Sequence, residues 1–142
     1  MYYQITYISD SLSNTTSTII DEILETSRIN NNKANITGCL IYYNNKFIQL
    51  LEGDEESVLN LIAKIKKDNR HKNFETISAS PSEKRSFAGW GMAFYPIDDK
   101  NTSVQELEQF KNNIKLLIDI STPKTFTENV FWQEIKSNLD MV

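Results

Sequence analysis

Four polar residues stand beside apolar segments, where their side chains could bind a ligand: Tyr7, Asn30, Asn31 and Gln49. Gln49 lies in the segment FIQLLEG, residues 47–53, which predicts a short β-strand with apolar side chains on both faces. A carboxamide in such a strand must find partners for one oxygen and two hydrogens. The sequence therefore predicts a buried amide that can both donate and accept hydrogen bonds.

The same side chains also have ordinary structural interpretations. Tyr7 could be a core aromatic residue whose hydroxyl reaches an edge, and Gln49 could bond only to neighbouring backbone. Asn30 and Asn31 could end a helix, since asparagine is common at helix C-termini. The residue types alone leave both interpretations open.

Several other kinds of chemistry find no support in the sequence. The four glycines form no phosphate-binding loop. Cys39 is the only cysteine, which excludes an internal disulfide and a cysteine-based metal motif. His71 is the only histidine and stands beside Arg70, where the residue types favour an exposed side chain. No metal site is therefore predicted.

Length and charge set further limits. The 142 residues suffice for one domain with a core and a small extension. A net charge of -4 and a pI of about 5.0 argue against a nucleic-acid partner. The N-terminus lacks the features of a signal peptide, and no apolar run approaches a membrane span of roughly 20 residues. We expect no membrane contact and a cytoplasmic location.

Apolar periodicity and turn residues predict the elements that must position these side chains. Strands are predicted at 2–8, 36–43, 46–51, 74–80 and 90–96, and helices at 16–31 and 55–68. The order β-α-β-β-α-β-β is that of the ferredoxin-like α+β fold with one added strand, with both helices on one face of a mixed sheet. We expect residues 1–96 to form this domain.

The sequence pattern of residues 97–142 predicts a helical extension. The sequence SVQE at 103–106 is typical of a capping box, and apolar residues follow it at helical spacing. A break at 121–124 precedes a second helix. The apolar side of this extension must be buried, either on the free sheet face or on a partner chain, so a homo-oligomer is possible.

Six short motifs in a fixed order make the chain similar to a known family. It resembles the BLUF domains, blue-light receptors that bind flavin adenine dinucleotide (FAD). The resemblance covers about residues 2–96, and the motifs occur in the family's order. They are YIS (7–9), SRxNN (27–31), ITGxLxY (36–42), FxQxLEG (47–53), DxRH (68–71) and RxFxxWxM (85–92).

The resemblance implies roles for the polar residues. Gln49 would lie between Tyr7 and the flavin ring and form hydrogen bonds with both. Asn31 would hold the polar edge of the ring near its C4 carbonyl and N3. Arg70 and Asn30 would contact the C2 carbonyl side.

Two further contacts and two departures follow from the same resemblance. Ile23 would pack on the ring, and His71 would lie near the flavin side chain or flank it. Ile29 stands where the family often has an arginine, which weakens the case for a phosphate contact. Asn35 replaces a common glycine, and neither departure involves the polar set around Gln49.

The resemblance implies the following mechanism. Tyr7 would transfer an electron and then a proton, and Gln49 would rotate or change tautomer. The electron and the proton would then return to Tyr7. The flavin C4 carbonyl gains a hydrogen bond, which shifts absorption slightly to the red. Trp90 and Met92 face the same way on the fifth strand. One of them would approach Gln49 and exchange with the other on illumination, although both could simply fill the core.

Three function classes compete. The first is a photoreceptor that binds FAD and signals to an unknown downstream protein by contact, with no enzymatic activity of its own. About 46 residues follow residue 96, too few for a cyclase or phosphodiesterase. The second class is a light-insensitive binder of flavin or another small ligand. The third is a hydrolase of the acylphosphatase type, which would need an arginine in a glycine loop near the first strand.

Overall fold

The computed structural model describes residues 1–12, 15–88, 93–96, 103–120 and 124–139. Its order confirms the predicted ferredoxin-like α+β arrangement followed by two helices. The elements are β1 (Tyr2–Ser11), α1 (Ser17–Lys33), β2 (Thr37–Tyr43), β3 (Lys46–Gly53), α2 (Glu55–Lys67), β4 (His71–Ser82), β5 (Ala93–Pro96), α3 (Val104–Ile120) and α4 (Phe126–Asn138).

The five strands form one mixed sheet in the order β4-β1-β3-β2-β5. β1 pairs with β3 and β4 antiparallel, β2 pairs with β3 antiparallel, and β2 pairs with β5 parallel. β4 is longer than the predicted 74–80 and includes Pro81. It is an edge strand, where polar residues and a proline are tolerated, so its ends lack the apolar alternation that a central strand shows.

A two-residue turn, Asn44 and Asn45, joins β2 to β3. Asn44 and Asn45 take positive φ values of 54° and 63°. Tyr43 and Lys46 pair directly across this two-residue turn. Asparagine tolerates the left-handed backbone that such hairpins require, so this turn sets the register of β3.

The ends of α1 correct one sequence interpretation. The side chain of Thr16 caps its N-terminus by accepting from the Ile19 amide at 3.3 Å. Asn31 lies inside the helix, and the C-cap residue is Ala34, followed by Asn35 with φ of 56°. The asparagine pair therefore does not end the helix, because Asn35 provides the left-handed turn that Asn30 and Asn31 could have provided.

Alternation along β3 divides the core into two layers. Phe47 and Leu51 pack with α1 and α2 on one face of the sheet. Ile48 and Leu50 pack on the other face against buried residues of α3 and α4. Gln49 shares a face with Phe47, so it points toward α1 and α2.

α3 and α4 cover the second face of the sheet through buried apolar side chains. Ile114 of α3 and Phe131 and Ile135 of α4 are fully buried there. The predicted domain division near residue 96 stays a prediction, because residues 97–102 lie outside the described part of the chain. Among the residues described, no helix combines the length and apolar character needed to cross a bilayer.

Candidate functional site

Two adjoining cavities, of about 60 and 100 Å³, lie between α1, α2 and the sheet. Gln49 and Arg70 line both of them. Every residue that the resemblance assigned to the cofactor lines at least one of the two. The first is lined by Tyr7, Ile23, Gln49, Arg70 and His71, and the second by Asn30, Asn31, Gln49 and Arg70.

Tyr7 and Gln49 form a buried pair at the floor of the first cavity. They are direct cross-strand partners in β1 and β3. The Tyr7 hydroxyl donates to Gln49 Oε1 at 2.5 Å, and both side chains are buried. The bond uses the amide oxygen of Gln49 as an acceptor, so the Nε2 end of the amide points away from the phenol.

The surroundings of Tyr7 keep its phenol protonated. Burial raises the pKa of Tyr7 well above its ordinary value, and the charge of Asp68 raises it further. The ring stacks on Phe74 with centroids 4.6 Å apart and an interplanar angle of 26°. At neutral pH the pair is a neutral phenol bonded to a neutral amide, and the phenolic proton is available for transfer.

Asn31 and Ser9 carry polar atoms with no partner among the described residues. Both side chains are buried, and Asn31 Oδ1, Asn31 Nδ2 and Ser9 Oγ accept or donate no hydrogen bond there. Buried polar atoms in folded proteins are nearly always paired. An orphaned amide on α1 beside a cavity with apolar lining such as Ile23 fits a flat ring with a polar edge, as in flavin.

An ion pair lies at the edge of both cavities. Arg70 Nη2 lies 2.6 Å from Asp68 Oδ2, and Arg70 Nε donates to Asp68 Oδ1 at 3.0 Å. These bonds hold the pKa of the Asp68 carboxyl below its ordinary value, so Asp68 is ionised at neutral pH. The pair fixes the Arg70 guanidinium at the cavity edge.

His71 corrects the interpretation of an exposed histidine. It begins β4 and is half-buried, with its Nε2 2.6 Å from the carbonyl oxygen of Ile65. Because a carbonyl only accepts, Nε2 carries the proton. The ring meets Phe47 and Phe74 edge-on. These contacts, which join α2 to the sheet, turn the side chain inward and place it against the first cavity.

Sequence reasoning assigned no role to three polar residues that line the first cavity: Ser9, Ser27 and Asp68. Each lies inside a quoted motif, so the signal was present. Ser9 is two residues beyond Tyr7 on the same strand face, and Ser27 is one helical turn from both Ile23 and Asn31. Trp90 and Met92, the predicted relay residues, lie outside the described residues.

Comparison with known proteins supports the same cofactor, flavin, as the geometry of the cavities does. The family model described as sensors of blue-light using FAD matches residues 2–93. Photoactivated adenylate cyclase subunit beta of Euglena longa is 34% identical over 87 residues, which are 61% of this chain and 10% of that protein. The blue light- and temperature-regulated antirepressor BluF of Escherichia coli strain K12 is 31% identical over 78 residues, 55% of this chain and 19% of that one.

Among solved structures, the dark state of BlrB, a BLUF protein, superposes with a TM-score of 0.69 at 25% identity and covers 96% of both chains. The chain spans only 10% and 19% of the two curated relatives named above. The match over residues 2–93 favours the photoreceptor class over the acylphosphatase-type hydrolase. The chain belongs to the BLUF family, the sensors of blue light that use FAD, and is a blue-light receptor domain that binds FAD.

Proposed function

We propose that blue light moves the Tyr7 proton to Gln49, that the Gln49 amide then changes its hydrogen bonds, and that the change reaches another protein by contact. The observation that carries the proposal is the 2.5 Å bond from the Tyr7 hydroxyl to Gln49 Oε1, buried beside the two cavities. It supplies a ready path for one proton.

The residues that would hold the cofactor differ in what they contribute. The amide of Asn31, which has no partner in the described part of the chain, would bond the polar edge of the ring, and Ile23 would pack on the ring. Arg70 and the exposed Asn30 would contact its other carbonyl side. His71, held by the Ile65 carbonyl, would flank the flavin side chain.

FAD would supply the absorption of blue light and, once excited, the oxidising power. The proton movements of the proposal lie within the chain. A phenol that loses an electron becomes strongly acidic, so the Tyr7 proton passes along the existing bond to Gln49 Oε1. The amide then rotates or changes tautomer. Tyr7 would then regain the electron that it gave to the flavin and take a proton back from the Gln49 amide, and burial of both side chains would keep bulk water from exchanging that proton.

The size of the signal limits how it can be used. Exchange of one hydrogen bond is worth about 1 kcal/mol in a protein site. That amount biases a two-state equilibrium several-fold but cannot drive a large rearrangement alone. We infer that the domain works as a sensor whose partner, another protein or a second copy, reads a shifted population. The names of the two relatives, a cyclase subunit and an antirepressor, are consistent with different outputs in different family members.

The test is the visible absorption spectrum before and after blue light. Wild type is expected to be yellow with a small reversible red shift, which Tyr7→Phe and Gln49→Ala abolish. Tyr42→Phe is the matched control, because Tyr42 is also buried on this sheet face but donates to Ser11 Oγ at 3.2 Å. It is expected to keep the shift.

Two results would contradict the proposal. A red shift retained in Tyr7→Phe would show that the phenolic proton is not required. A yellow wild-type protein without any shift would leave a light-insensitive flavin binder.

A further inference from the structure

The sheet face toward α4 carries a cluster of polar side chains that is separate from the two cavities on the opposite face. Gln4 and Glu52 are cross-strand partners in β1 and β3, and both are fully buried. Gln4 Nε2 donates to Glu52 Oε1 at 3.0 Å and to Ser86 Oγ at 2.9 Å. Gln4 Oε1 accepts from the hydroxyl of Thr125, the N-cap residue of α4, at 2.8 Å. One amide therefore contacts three separate parts of the chain.

These bonds fix the orientation of the Gln4 amide. Both Nε2 hydrogens have acceptors and Oε1 has a donor, so the polar capacity of the buried group is used. Turning the amide over would place Oε1 against the Glu52 carboxylate. A shift of any one partner must therefore be followed by Gln4 or leave a buried group unpaired.

Glu52 fastens the segment 85–88 to the sheet. Its carboxylate accepts from the backbone amides of Ser86 at 2.7 Å and Phe87 at 2.8 Å. It also accepts from the hydroxyl of Thr37 in β2 at 2.7 Å. Arg85 completes the clamp by donating to Thr37 Oγ1 at 2.9 Å. Movement of β3 at Glu52 thus acts on this segment and on Gln4 together.

The first turn of α4 is held by polar contacts, whereas the rest of the helix is held by apolar ones. Besides the bond from Thr125 to Gln4, Thr127 Oγ1 lies 3.0 Å from Ser78 Oγ and 2.6 Å from Ser80 Oγ of β4. Farther along, the buried side chains are apolar, as at Phe131. Hydrogen bonds can be exchanged for bonds to water at small net cost, so the first turn is the end of α4 that can detach and reattach.

We propose that Gln4 couples β3 to the first turn of α4, so that light sensed at Gln49 changes the docking of that turn. Gln49 and Glu52 lie three residues apart on β3 and face opposite sides of the sheet. The inference rests on the proposed function, because Gln49 must respond to light. Gln4 is a positioning residue in this scheme and does not touch the flavin cavities.

The experiment compares amide hydrogen exchange in α4, in the dark and under blue light, with the visible red shift of the same FAD-loaded sample. Wild type is expected to exchange faster in light at the first turns of α4. Gln4→Met removes the amide but keeps the shape, and it is expected to shrink this light-minus-dark difference by about fivefold or more with the red shift intact. Ser80→Ala is the control: it also loosens the first turn but leaves Gln4 untouched, so the difference remains.

A second variant guards against poor folding of Gln4→Met. Thr125→Asp keeps an acceptor for the Glu128 amide, which Thr125 now caps at 3.0 Å, but has no proton to donate to Gln4. It is expected to lose the exchange difference as well. The coupling is wrong if both variants keep the wild-type difference, or if wild type shows a red shift without any change in α4. Failure of the proposed function is seen separately, as a missing red shift in wild type.

Discussion

Asn31→Leu is expected to stabilise the flavin-free protein and to weaken its binding of flavin. Asn31 is buried inside α1, and neither polar atom of its amide has a partner among the described residues. Leucine has the same branched arrangement of side-chain heavy atoms and no polar atom; it is bulkier, but Asn31 lines the second cavity, which has room for the added methyl groups. The substitution removes a buried unpaired amide when flavin is absent, and it removes the hydrogen bonds that we propose for Asn31 when flavin is bound.

The two magnitudes follow from those contacts. Leaving a buried polar group unpaired costs about 1–3 kcal/mol, so the unfolding free energy of the flavin-free protein should rise by about that amount. Leucine is also a better helix former than asparagine by a few tenths of a kcal/mol. Loss of two hydrogen bonds to flavin, at about 0.5–1.5 kcal/mol each, should weaken affinity by roughly 5- to 150-fold.

Urea unfolding of the flavin-free protein and titration with FAD measure the two effects. Asn32→Leu is the matched control, because Asn32 is the exposed neighbour on the same helix and undergoes the same change in helix propensity. Its unfolding free energy should change by only a few tenths of a kcal/mol and its flavin affinity not at all. If Asn31→Leu destabilises the flavin-free protein, or binds FAD as tightly as wild type does, the reasoning about the orphaned amide is wrong.

Three further predictions concern the core. Glu52→Gln places an NH₂ group against the backbone amides of Ser86 and Phe87, which are themselves donors, and should lower the unfolding free energy measured in urea by about 1–3 kcal/mol. Glu83→Gln, at an exposed position, should leave it unchanged, and equal urea midpoints for the two variants would contradict this prediction. Burial and the charge of Asp68 raise the pKa of Tyr7 above its ordinary value of about 10. At pH values just above about 10, the Tyr7 phenol therefore loses its proton only in the unfolded chain. Stability should therefore fall as pH rises through that range, and less steeply in Tyr7→Phe. Burial raises the pKa of the Cys39 thiol, so a thiol reagent should react only as fast as the protein unfolds; rapid native labelling would show an accessible thiol.

Local patterns were sufficient to predict the element order. Three short-range signals are the alternation of side chains in β3, the asparagine pair in the hairpin, and Asp54, whose side chain caps the N-terminus of α2 by accepting from the Ser57 amide. Each is set by a residue and its near neighbours, so it can be read without the fold. Where the local signal was mixed, as at the end of α1 and in the edge strand β4, the predicted boundaries were wrong by a few residues.

The candidate site could be predicted from the sequence only in part. The motifs named Tyr7 and Gln49, and the resemblance paired them, but periodicity alone could not show that one phenol donates to one amide oxygen. Nor could it distinguish Asn31, whose amide is buried without a partner among the residues described, from the exposed Asn30 beside it. That difference depends on how α1 is rotated against the sheet.

The sequence by itself determined the family, the order of strands and helices, and which polar residues could meet a flavin. Only the tertiary structure decided which atoms meet. The Gln4 amide joins Glu52, which is 48 residues away, to Thr125, which is 121 residues away. Propensity and periodicity act over a few residues, whereas such contacts arise from strand register and helix docking, which bring distant parts of the chain together. The hydrogen bonds around Gln4 are therefore seen only in the folded structure and could not be predicted from the sequence.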